Sequence, residues 1–78
     1  MPLTISVRPF ESRWLVESAA FNQALPFGSG AKAEEAAHKL GEQCASAGRQ
    51  VEVRIYLRDG SLGGRYVYPA ARQLAFAD

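Results

Sequence analysis

Eight consecutive residues, VEVRIYLR at 51–58, alternate apolar and polar without a break. Successive side chains of a strand point to opposite faces, so this period of two reads as a half-buried strand. Val51, Val53, Ile55 and Leu57 form the side expected inside, and Glu52, Arg54, Tyr56 and Arg58 the side expected in water. A sheet with one wet face must have the other covered, which constrains the rest of the chain. Asp59 to Gly64, DGSLGG, reads as the following turn, with Gly63 and Gly64 marking a bulge or wide turn. RYVYP then returns as the partner strand, stopped by Pro69, with Val67 on the buried side.

The cover is legible upstream. In GSGAKAEEAAHKLGEQCASAG, residues Ala33, Ala36, Ala37, Leu40, Cys44 and Ala47 recur at three- and four-residue steps, the signature of one apolar helical face. Ser29 is the expected N-cap and Gly48 the C-terminal stop. Glu34 and Glu35 lie early, where the helix dipole favours anions, and Glu35 with Lys39 makes an i,i+4 pair. Gly41 is a weak point for an exposed helix, costing about 1 kcal/mol against alanine. A mostly alanine stripe can lie close to a sheet while burying little area per residue.

Before the helix, TISVRPF alternates and is expected to end or bend at Pro9; RWLVES repeats the pattern with Trp14 and Val16 inward. The short PFES link suits a hairpin. Ala24 to Phe27 reads either as a short third strand or as a loop, and residues 70–78 as a short helix or flexible tail. The expected fold is α+β: a small antiparallel sheet of three to five strands with one helix on one face, in the order β-β-(β)-α-β-β. Ile5, Val7, Trp14, Val16, Leu40, Val53, Ile55, Leu57 and Val67 are its core candidates.

At 78 residues the chain is read as a single domain, 1–78. Such a domain buries only about 60% of the surface its unfolded chain exposes, and self-association is a common remedy. One cysteine allows neither an internal disulfide nor a cysteine-based zinc site. No signal peptide or membrane-length apolar run is read, so the expected setting is cytoplasmic, with no membrane partner. A net charge of +1 is too balanced for strong non-specific nucleic-acid binding by itself.

The residues from RWLVES through GSGAKAEEAAHKLGEQCASAGRQVEV to RDGSLGGRYVYP resemble a group of small bacterial domains of unknown function. Their pattern is a W-x-V strand, a helix with a Glu-Ala step, a V-x-V segment, a D-G turn and a strand ending Y-x-Y. Trp14 and Val16, Glu35 and Ala36, Val51 and Val53, Asp59 and Gly60, and Tyr66 and Tyr68 match it. The resemblance covers about residues 13 to 69 and implies no catalytic residues, since the group has no assigned activity. The apolar loop before the helix, the Gly63–Gly64 pair and the tail depart from it.

Candidate chemistry is sparse. GSGAK at 28–32 lacks the spacing of a phosphate loop and reads as a helix cap. His38, the only histidine, has no metal-ligand spacing and no base-like partner, and is expected solvated or at the helix rim. Cys44 lies on the apolar stripe, Asp59 is a turn residue, and Trp14 is read as core rather than as a stacking platform. No catalytic, cofactor-binding or metal-binding residues are assigned, and the chain is read as not an enzyme.

One collective feature remains. If the alternation holds, Arg8, Arg13, Arg54, Tyr56, Arg58 and Arg65 form a face pointing away from the helix. That face reads in three ways: a solvated surface with Glu17 and Glu52 paired across strands, a homodimer or other protein interface, or a weak nucleic-acid-binding surface. The resulting expectation is a non-catalytic interaction module of unknown function, self-associating through its open sheet face or an edge. The partner is a second copy or an unidentified protein; nucleic acid is the alternative, and no cofactor is implied.

Overall fold

The computed structural model describes residues 2–71. In order they form β1 (Leu3–Phe10), β2 (Arg13–Ser18), β3 (Leu25–Phe27), α1 (Gly30–Ser46), β4 (Val51–Tyr56) and β5 (Leu62–Tyr68). The five strands make one sheet in the spatial order β3-β2-β1-β4-β5, with α1 across one face, which is the expected α+β arrangement. The short third strand is present. The tail from residue 72, read above as helix or flexible, lies outside the described residues.

The sheet is mixed, where a wholly antiparallel one was expected, for a simple directional reason. Two antiparallel connections leave β3 running the same way as β1, and α1 then reverses the chain once more. β4 therefore enters parallel to β1, pairing Leu3 with Val51 through Val7 with Ile55. The other three strand pairs are antiparallel. With β2 already on one side of β1, the 17-residue helix, about 25 Å long, carries the chain back to the other side. β1 runs on through Pro9 to Phe10 instead of ending at the proline. β4 accompanies it only as far as Val7, so Pro9 sits where the β1–β4 ladder has ended and a missing N–H is tolerated.

The helix begins and ends as its sequence dictates. Ser29 Oγ accepts from the Lys32 amide at 3.2 Å. At the other end Gly48 has φ +99°, its N–H donates to Ala45 C=O, and the Arg49 N–H donates to Cys44 C=O. Those two bonds complete a Schellman stop, and glycine supplies the left-handed residue it needs. The first turn holds no acidic residue, so Glu34 and Glu35 lie one turn too far in to cap the dipole directly. Glu35 does pair with Lys39, at 3.6 Å.

Ala33, Ala37, Gly41 and Ala45 form the buried line of α1, with Leu40 and Cys44 half-buried beside it and Ala47 exposed. A Cβ on Gly41 would come 3.2 Å from the Tyr68 ring and 3.3 Å from Val53. The glycine that looked like a helix defect is one of two places, with Gly30, where a side chain would crowd the sheet. Beneath this line Leu3, Ile5, Val7, Val16, Val51, Val53 and Ile55 fill the core, and Trp14, Phe21, Phe27 and Tyr68 close its rim.

Two expected core residues lie outside. Leu57 is 48% exposed and Val67 45% exposed. Leu57 falls beyond the end of β4, inside the turn. There Leu57 C=O accepts from Gly60, the Leu57 N–H donates to Ser61, and Gly60 has φ +87°, a three-residue loop closed by a left-handed glycine. The turn is thus shorter than Asp59–Gly64, and β5 already starts at Leu62. Ile55 pairs with Gly64 and Tyr56 with Leu62, leaving Gly63 as the extra residue of a bulge. With that register Val67 lies opposite Glu52 on the open face, while Tyr66 and Tyr68 lie opposite Val53 and Val51 on the helix side.

Candidate interaction surface

The register brings most of the expected arginine face together. Arg54 lies between Ser6 of β1 and Arg65 of β5, Arg8 opposite Leu15, Arg13 opposite Phe10, and Tyr56 opposite Leu62. Arg58 is not part of it. It sits past β4, with its guanidinium 5.4 Å from the centre of the Trp14 ring and Nη1 donating to Glu11 C=O at 3.3 Å. Trp14 packs from the sheet towards Gly30 of α1, so Arg58 is drawn to the helix-side rim by a cation–π contact.

The arginines that remain are largely answered from within the sheet. Arg8 Nη2 is 2.6 Å from Glu17, and Arg8 Nε donates to the same carboxylate. Glu52 is held on both sides: Arg65 Nη2 lies 2.7 Å away, and Arg54, two residues along β4, binds its other oxygen. Only 6% of Glu52 is exposed, because the two arginines lie over it on the open face; it is not sunk into the core. The bonds from Arg65 and then Arg54 hold its carboxyl below the usual carboxylate range. Among the described residues Arg13 has no ion pair. In the turn, the Ser61 hydroxyl and amide both donate to Asp59, holding that carboxyl low as well and confirming it as a turn residue.

His38 sits at the rim, as expected, but has partners that spacing did not show. Its Nδ1 is hydrogen-bonded to the Tyr68 hydroxyl at 2.5 Å, and its ring meets Tyr66 edge-on at 4.8 Å. Burial, followed by the nearby Glu42 and Tyr66, raises the Tyr68 phenol above its ordinary value. The signal was the alternation of Tyr66 and Tyr68 on a strand that must pass the helix, which becomes readable only once the register is known. This cluster ties β5 to α1.

The edges differ most. β3 has three residues, one of them Pro26. β5 has seven, LGGRYVY, with no proline. Its outer backbone groups have no strand neighbour among the described residues. Leu62, Tyr66 and Val67 on it are 49%, 47% and 45% exposed. A row of unpaired N–H and C=O groups flanked by exposed apolar side chains is a template for another strand.

No protein-family model, curated protein or solved structure matches this chain at significance. Among the described residues no helix is long and apolar enough to cross a membrane.

Proposed function

We propose that the protein is a small non-catalytic interaction module of a reducing, cytoplasmic setting, which self-associates by strand addition along the edge of β5. The observation that carries this reading is the β5 edge, which has no strand neighbour among the described residues and is seven residues long with exposed Leu62, Tyr66 and Val67. Backbone pairing across such an edge supplies affinity, and alternate side chains supply specificity. The open face supports the reading less well, because Glu17 and Glu52 already answer Arg8, Arg54 and Arg65. The same pairing weakens the case for nucleic acid, which needs unsatisfied cations for phosphates.

Sedimentation equilibrium tests the reading. The expected result is a doubled mass at tens of micromolar; a monomer at every concentration contradicts it. A single-stranded DNA titration at low salt is expected to show no binding, and a signal lost in Arg54→Ala would favour the nucleic-acid alternative.

A further inference from the structure

We propose that β5 pairs antiparallel with β5 of a second copy about a two-fold axis at Tyr66, joining two five-stranded sheets into one of ten strands. This rests on the self-association reading above and fixes its partner and its register.

The choice of mate follows from the two edges. A head-to-tail contact would join β5 of one copy to β3 of the next, but β3 offers three residues interrupted by Pro26, which has no N–H to give. Among the described residues of a second copy, the only long edge available to β5 is therefore another β5. A like-with-like contact closes on itself as a dimer and leaves no β5 edge free to extend a filament.

The register follows from the strand itself. In an antiparallel pair, directly opposed residues must both turn their backbone groups towards the partner or both away. A two-fold β5 pair must therefore centre on a residue, not between two. The regular part of β5 is bounded by the Gly63 bulge and by Pro69, leaving residues 64–68, whose midpoint is Tyr66. That centre sets Arg65 opposite Val67 and Gly64 opposite Tyr68, with Tyr66 opposite its own copy. A centre at Arg65 would place like charges directly opposite, which is destabilising. A centre at Val67 would bring Pro69 against Arg65, and one at Gly64 would run into the bulge.

Side-chain chemistry agrees with the chosen centre. On the open face Val67 gains an apolar neighbour in the Arg65 stem, whose charge is already answered by Glu52. On the helix side Gly64 brings neither bulk nor charge opposite Tyr68, since the space above it is already taken by Tyr66 of its own strand. Each Tyr66 is steadied from behind by His38.

Cysteine trapping tests the register in full-length protein carrying Cys44→Ala, so that no native thiol competes. Directly opposed residues have Cα atoms about 4.5–5.5 Å apart, within disulfide range, whereas separations beyond about 7 Å cannot be bridged without backbone movement. Tyr66→Cys is expected to cross-link to itself under mild oxidation. Because that change also removes the His38 contact, a second arm mixes Arg65→Cys with Val67→Cys. This mixture is expected to give the hetero-linked dimer at least tenfold faster than either variant alone gives a homo-linked one. A doubled mass in sedimentation with neither cross-link overturns this register while leaving self-association standing. A monomer at all concentrations, including one whose β5 captures only unrelated strands, overturns both.

Discussion

β3 closes one side of the sheet with three residues around Pro26, and β5 closes the other with seven and no proline. Both strands carry exposed apolar side chains, Leu25 on β3 and Leu62, Tyr66 and Val67 on β5. Exposure of apolar side chains therefore does not distinguish them; the backbone does. Proline and brevity blunt β3, whereas β5 keeps, past its bulge, a run of outward donors and acceptors with no strand neighbour among the described residues. The helix is matched to both sides: Gly30 gives way to Trp14 on the β2–β3 side and Gly41 to Tyr68 on the β5 side.

The sharpest way to break the comparison is to detach β5 from its support. Gly41→Leu pushes a side chain into Tyr68 and Val53. A net loss of about 2 kcal/mol in urea unfolding is expected once the helix-propensity gain is offset. Gly28→Ala, where a Cβ meets nothing within 4 Å, is expected to stay within about 0.5 kcal/mol.

Charging each edge in turn separates them next. Val67→Lys should weaken dimerisation at least tenfold, about 1.4 kcal/mol, in a sedimentation series, while Leu25→Lys on β3 leaves it unchanged. Equal effects from the two lysines would erase the distinction. Tyr68→Phe removes the bond to His38 and is expected to cost about 1 kcal/mol of stability. Its β5 amides should also exchange faster than those of β3.

The smallest effect concerns pH. Glu52 ionises more readily in the fold than in the unfolded chain, because Arg65 and Arg54 bind its carboxylate. A depressed folded pKa contributes stability above the ordinary value of 4.5, and that contribution is lost as pH falls through the lowered value. Unfolding followed from pH 6 downward should therefore show a shallower acid decline in Glu52→Gln than in the parent.

Much of this was legible in the sequence. The alternation of residues 51–56, the Ser29 and Gly48 caps and the Ala33–Ala37 start of the helix's buried line depend on local spacing and appear in the fold, whereas that line continues through Gly41 and Ala45 and leaves Ala47 exposed. Val67 was misplaced because one bulged residue, Gly63, reverses the facing of β5 relative to β4, and Leu57 because β4 ends at Tyr56 and the turn begins there. RYVYP carries apolar character on both faces, so alternation alone could not say which set turned inward. The arginine face was legible as a set of residues, and Glu17 and Glu52 were expected to pair within it. The departure of Arg58 towards Trp14 was not legible, because it depends on where a turn ends. The open edge was invisible until strand order was known, since no local pattern says which strand lies outermost.

Amide hydrogen exchange followed by NMR at two protein concentrations, about 10 and 500 µM, tests the central claim most directly, because opening free energies are read strand by strand. The outward amides of residues 64–68 should gain protection as concentration rises, while those of β3 exchange at the same rate in both samples. Rates on β5 that do not change with concentration, or protection that grows equally on β3, would contradict the account.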